Sequence, residues 1–128
     1  MTNLEKISRV WDALYDEQNA VEQVVERFFH PEYKQCINGV ELNRSEYIDH
    51  VLEQRRNLDS VTFRYEEHLS DANKLFAIYY VNGKNASGDD LDAEVIAHFE
   101  FMDDMVYRIH GQVRVMHGDP ADADMWAE

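Results

Sequence analysis

The chain is poor in cysteine, proline, glycine and positive charge. Its 128 residues include one Cys, two Pro and five Gly, and 12 Lys plus Arg stand against 26 Asp plus Glu, a formal net charge of −14. A lone thiol, Cys36, excludes an intramolecular disulfide and fits a reducing compartment. The shortage of cations argues against nucleic-acid and anionic-membrane partners, whose phosphates such a surface repels. No apolar run approaches the roughly 20 residues of a membrane span. The opening MTNLEKISRV carries charges where a signal peptide has its apolar run, so a soluble, cytoplasmic protein is expected. There are no internal repeats. The length suits one domain, expected over residues 1–118, with an acidic tail over 119–128 in which Met125 and Trp126 are the groups able to dock.

What is present in quantity is alternation. Between Leu91 and Met116, Val95, Ala97, Phe99 and Phe101 alternate with Glu94, His98 and Glu100. After an acidic turn, Tyr107, Ile109, Val113 and Val115 alternate with Arg108, His110, Gln112 and Arg114. A side-chain period of two marks strands buried on one face, so the segment predicts a long hairpin whose apolar side needs a cover.

The first half supplies that cover. Leu4, Ile7, Trp11 and Leu14 recur at helical spacing, which predicts a helix over about Asn3 to Asp16. A second helix is expected from Asn19, with Glu22 in capping-box position, through Val21, Val24, Val25 and Phe28 to Pro31. Tyr33 to Asn38 reads as a short extended piece ending in the Asn38-Gly39 turn signal. A third helix starts near Asn43, boxed by Glu46, with Tyr47, Ile48, Val51 and Leu52 inward and Arg55-Arg56 toward solvent.

The second half reads as sheet. Val61, Phe63, Tyr65 and Leu69 alternate with polar residues, and Leu75 to Val81 is apolar on both faces, which suits a central strand covered on both sides. The class is therefore α+β, with three N-terminal helices packed on a curved, mainly antiparallel sheet.

The order of elements, FFHPEYKQCING, the capped third helix and FEFMDDMVYRIHG resemble the SnoaL-like branch of the nuclear transport factor 2-like superfamily, over about residues 4–117. The resemblance implies a cone-shaped barrel, like that of ketosteroid isomerase, limonene epoxide hydrolase and scytalone dehydratase, with a pocket at its open end. The turn glycine usual in the family is missing from Phe101-Met102-Asp103-Asp104. Matched positions also lack the family's chemistry. Ala97 falls where isomerase-like members have an Asp, Trp11 where they have a Tyr, and Cys36 where many members have a His. Tyr79, Val81 and Gly111 fall where the epoxide hydrolases have Arg, Asp and Asp.

The expected pocket wall comprises Trp11, Tyr15, Cys36, Tyr47, Phe63, Tyr65, Tyr79, Ala97, Phe99, Tyr107 and Ile109. Such an apolar wall with a few hydroxyls suits a small hydrophobic molecule, and the same residues also suit an ordinary core. Glu67, in alternating register with Phe63 and Tyr65, is the candidate general acid or base if buried, and a solvated rim group if not. Cys36 reads either as a nucleophile or as a small buried hydrophobe. His98, His110 and Glu100 meet on the polar side of the hairpin, where a polar network is favoured over a metal, and no cofactor is implied. Phe76, Ile78, Tyr80 and Ile96 on the outer sheet face suit a homodimer interface. The reading is a non-catalytic ligand-binding or dimerisation module. The alternative is a cofactor-independent isomerase, cyclase or lyase acting on a small hydrophobic carbonyl compound through Glu67.

Overall fold

A computed structural model describes residues 1–117; the expected tail, with Met125 and Trp126, lies outside the described residues. The elements are α1 (Asn3–Leu14), α2 (Val21–Phe28), β1 (Phe29–Ile37), β2 (Val40–Asn43), α3 (Arg44–Asn57), β3 (Leu58–Asp71), β4 (Lys74–Asn85), β5 (Asp90–Met102) and β6 (Met105–His117).

Local chemistry explains the boundaries. Thr2 and Glu5 close a capping box on α1, and Asn43 and Glu46 close another on α3, so that orphan amide donors at both helix starts are satisfied. The box expected at Asn19 does not form. The cap of α2 is Ala20, without a side-chain bond, and the Asn19 amide instead donates to the Ala13 carbonyl. Two short turns use left-handed backbone. Asn38 and Gly39, with φ of 52° and 81°, join β1 to β2, and Asp103 and Asp104, with φ of 54° and 65°, join β5 to β6. Positive φ at both central residues matches the right-handed twist of a hairpin. Asp103-Asp104 thus makes the tight turn without the family's glycine; Asp104 is held by Lys6 at 2.6 Å.

The six strands run in the order β2-β1-β6-β5-β4-β3, antiparallel except for the parallel β1–β6 pair. The sheet does not close: β2 and β3 are its free edges, so the expected barrel is an open curved sheet. The short extended piece proves to be the nine-residue strand β1, paired with β2 and β6. The three helices cover its concave side, where Ile7, Leu14, Val25, Phe29, Val51, Leu75, Phe99 and Val106 are almost wholly buried. Phe29 packs its ring 4.9 Å from Tyr33 and 5.2 Å from Tyr47, tying α2, β1 and α3 together. Such ring pairs add about 0.5–1.5 kcal/mol beyond area burial.

Of the register shifts among the described strands, two reset the side-chain phase at expected site residues. In β3 the register jumps from Tyr65 opposite Tyr79 to Glu67 opposite Ile78, leaving Glu66 as the extra residue. Beyond that point Glu67 and Leu69 share the outer face with Ile78 and Phe76, which corrects the inward placement of both. In β6 the jump between Glu100–Arg108 and Phe101–Val106 leaves Tyr107 as the extra residue. Val106 and Ile109 are therefore the buried pair, and Tyr107 is half-exposed. Arg55 is also not a solvent group: its guanidinium donates to the carbonyls of Leu14 and Asn19 and closes the end of α1. Only its neighbour Arg56 is exposed, paired with Glu53.

Candidate functional site

Between the helices and the concave face lies a narrow cavity of about 50 Å³, and with its open mouth included the recess reaches about 510 Å³. Helical spacing on α3 sends Tyr47, His50 and Gln54 to it, because residues three, four and seven apart share a face. Alternation on β1 sends Gln35 and Ile37 to it. Trp11 and Tyr15 come from the end of α1, Phe63 and Tyr79 from β3 and β4, and Ala97, Ile109 and Val113 from β5 and β6. Tyr15, His50, Phe63 and Val113 are only half-buried.

Of the expected wall, Trp11, Tyr15, Tyr47, Phe63, Tyr79, Ala97 and Ile109 line this cavity. Phe99 is fully buried behind it, against Trp11 at 6.2 Å and Tyr79 at 6.4 Å. The remaining three lie elsewhere. Cys36 falls between inward Gln35 and Ile37, so alternation turns it to the outer face, in register with Glu41 and His110. Tyr65 packs its ring 5.5 Å from Tyr79 at a 40° tilt but opens into a separate cleft with Ser8 and Asp12 of α1. Tyr107, displaced by its bulge, packs edge-on to His30 at 5.1 Å beneath the Arg108 guanidinium. Glu67 is exposed and borders an outer-face groove with Leu69, Phe76, Ile78 and Ile96.

The polar groups that sequence reasoning missed are Gln35, His50 and Gln54. Gln54 is 2% and Gln35 is 5% exposed. Both amide oxygens are engaged by tyrosines: the Tyr15 hydroxyl donates to Gln54 Oε1 at 2.9 Å and the Tyr33 hydroxyl to Gln35 Oε1 at 2.8 Å. The spacing of Gln54 from Tyr47 and Val51, and of Gln35 from Tyr33, was the available signal.

Every cavity-lining side chain is uncharged or held neutral. Burial pushes the Tyr15, Tyr47 and Tyr79 phenols well above their ordinary value. Burial also lowers His50, against the opposing pull of Glu53, so the imidazole is neutral near pH 7. Trp11 is 6% exposed, and its indole N–H has no hydrogen-bond partner. The Tyr79 hydroxyl approaches it without closing a bond.

At Gly111, one of the positions where the resemblance implies a carboxylate, the space is taken by backbone. A Cβ on Gly111 would stand 2.4 Å from the Ile96 carbonyl oxygen and 2.8 Å from Ala97 Cα. Gly111 pairs directly with Ala97 across β5 and β6, and that close approach leaves no room for an acid. On the outer face His98 is opposite His110 and Glu100 is opposite Arg108, as alternation predicts. Among the described residues no group of three or more His, Cys, Asp or Glu side chains is arranged to hold a metal ion.

Solved structures with this arrangement share little sequence with the chain. An isomerase assignment from Rhodopseudomonas palustris superposes with a TM-score of 0.77 at 7% identity, covering 88% of this chain and 90% of that one. A structure assigned as a SnoaL-like polyketide cyclase from Jannaschia sp. CCS1 gives 0.72 at 12% identity, covering 98% and 93%. The chain has the nuclear transport factor 2-like fold. A third structure, a nuclear transport factor 2-like protein of unknown function from Exiguobacterium sp. 255-15, gives 0.70 at 15% identity over 88% and 98%. In sequence, the chain is similar to an uncharacterized protein of Schizosaccharomyces pombe, 25% identical over 119 residues, or 93% of this chain and 91% of the yeast protein. No family model matches. The nuclear transport factor 2-like scaffold here thus carries a neutral cavity, and no described helix is long and apolar enough to cross a membrane.

Proposed function

We propose that the protein is a non-catalytic ligand-binding module that works as a homodimer. The observation that carries this reading is the composition of the cavity wall: aromatic rings, two glutamines, one neutral histidine and aliphatic groups, with no carboxylate or cation. General acid–base chemistry at a carbonyl needs a titratable group within reach of the reacting atoms. Glu67, the expected carrier, is on the opposite side of the sheet. The cavity's size, below the roughly 300–1,000 Å³ of sites for drug-sized ligands, restricts it to a small molecule or to one end of a larger molecule lying in the mouth.

The dimer reading rests on the outer face. Leu69 is 79%, Phe76 57% and Ile96 49% exposed, side by side on adjacent strands. Around them Arg64, Arg114, Glu66 and Glu94 alternate in sign, so the surface is complementary to its own copy across a two-fold axis. Analytical ultracentrifugation should give twice the 15.1 kDa chain mass. A monomer at micromolar concentration would refute the dimer.

One observation favours a second reading, an acid–base enzyme. His50 reaches the cavity as a neutral imidazole and is the one lining group that can exchange a proton near neutral pH. In that case His50→Gln abolishes turnover of the bound molecule, whereas the binding-module reading expects the molecule to be released unchanged by either form.

A further inference from the structure

Three cations of this acidic chain converge on one surface cleft. Lys6, Arg56, Arg64, Lys84 and Arg114 are each paired with a carboxylate. Lys34, Arg44 and Arg108 form no ion pair among the described residues, and all three line a cleft of about 520 Å³ between β1, the start of α3 and β6. It shares no lining residue with the neutral cavity. Glu32 is the one carboxylate on its wall, and it is exposed. Strand register sets the cluster. Lys34 and Arg108 are directly opposite on the parallel pair β1–β6, and Lys34 is also opposite Asn43, the cap of α3. Side chains in register on neighbouring strands share a face, and like charges so placed repel. Arg108 has Glu100 opposite it on β5 but does not take it as a partner. Its guanidinium lies 3.8 Å from the centre of the Tyr107 ring and donates to the Glu32 and Tyr107 carbonyls at 2.7 and 2.8 Å, which holds the charge at the cleft wall. One terminal nitrogen of Arg44 donates to the Val25 and Phe29 carbonyls, while its Nε is buried without a hydrogen-bond partner. The Glu46 carboxylate of the same helical turn is engaged by the Asn43 amide in the capping box and neutralises none of the three.

We infer that this cleft is an anion site, separate from the neutral cavity, and that its ligand is the phosphate monoester of a small organic molecule. Three cations against one carboxylate match a dianion, and guanidinium forks beside a lysine point charge are a common pairing for phosphate oxygens. The net charge of −14 does not decide against it, because at physiological salt charges are screened beyond about 8 Å and the local sign governs. A nucleic acid extends past the cleft onto the acidic surface and is repelled there. The Tyr107 ring, Pro31 and half-buried Ile48 offer apolar contact to the organic part of the ester. A carboxylate carries one charge fewer and satisfies fewer of the donors.

The test is a calorimetric and NMR titration of the full chain with phenyl phosphate, inorganic phosphate, benzoate and phenol. Phenyl phosphate should bind saturably and move the Arg108 Nε–H resonance together with the Lys34 and Ser45 amides. Benzoate should bind at least about tenfold more weakly, the loss of one charge-assisted hydrogen bond, and phenol should not bind. Inorganic phosphate should bind several-fold more weakly; equal affinity would reduce the ligand to free phosphate and overturn the ester. Arg108→Gln should weaken phenyl phosphate by about tenfold or more, and Lys34→Gln by about two- to fivefold. Arg56→Gln, which removes an exposed cation outside the cleft, should leave the affinity unchanged. Lys34 is exposed, so its variant keeps the fold and decides the matter should Arg108→Gln unfold. Absence of saturable binding at millimolar phenyl phosphate, equal binding of phenol, or an affinity that Lys34→Gln leaves unchanged overturns the site.

Discussion

The hydroxyl of Tyr15, the residue that caps the end of α1, donates to Oε1 of Gln54 on α3 at 2.9 Å and joins the two helices beside the cavity. Gln54 is 2% exposed, so Tyr15→Phe strands a buried carbonyl-type oxygen and should cost about 1–3 kcal/mol in urea unfolding. Adding Gln54→Leu removes the stranded group as well. The double variant should recover most of the loss, and a purely additive pair would show that the bond contributes nothing specific.

The pH dependence follows from the same buried groups. His50 and His98 are both lowered from their ordinary value chiefly by burial, so below about pH 6.5 the unfolded chain binds protons that the folded chain does not. Stability should therefore fall as pH drops through and below 6.5, and His50→Phe should flatten part of that slope. On the alkaline side Tyr15, Tyr33, Tyr47 and Tyr79 are raised by burial. The unfolded chain releases their protons above about pH 10 while the folded chain keeps them, so stability should fall again above pH 10. The phenolate absorbance of these four should then rise together with unfolding rather than before it.

The outer face offers a separate handle. Phe76 and Ile96 are exposed in the single chain, so Phe76→Glu with Ile96→Glu should leave the circular dichroism spectrum unchanged. Sedimentation should shift from dimer to monomer, because four like charges per interface repel across the two-fold axis. A dimer that persists would place the contact on another surface.

At the β3–β4 turn Ala72 holds a φ of 53°, in the left-handed region that a Cβ disfavours. The Ala72 carbonyl accepts from Asn3 Nδ2 at 2.9 Å, a bond that a glycine keeps. Ala72→Gly should raise the thermal midpoint, with a gain of about 0.5–1 kcal/mol. Gly111→Ala should do the reverse and lose about 1–3 kcal/mol or more, since its Cβ strikes the backbone of β5.

How much of this was legible in the sequence depended on local continuity of pattern. The α3 capping box, the Asn38-Gly39 hairpin and the facing of His98 and His110 all follow from residues that keep a fixed period. Glu67 is displaced because the extra residue Glu66 turns the side chains beyond it in β3 to the other face, and Tyr107 because it is itself the extra residue of β6, while Ile109 and Val113 after it keep the facing their alternation gives. No residue type announces such a bulge. His50 and Gln54 escaped for another reason: they stand at inward positions of α3, but polar residues there read as a solvated face until the cavity beside them is known. The open edge between strands β2 and β3, likewise, is a property of the whole sheet, which no single segment encodes.

In the function proposed for this protein, a neutral cavity binds a small neutral molecule without transforming it, in a dimer. Native mass spectrometry of the purified protein tests it most directly. The expected species is a dimer carrying one small uncharged adduct per chain, released on denaturation with the same exact mass however long the complex is incubated. A ligand-free monomer, or a released compound whose mass or isomer composition changes with incubation, would contradict it.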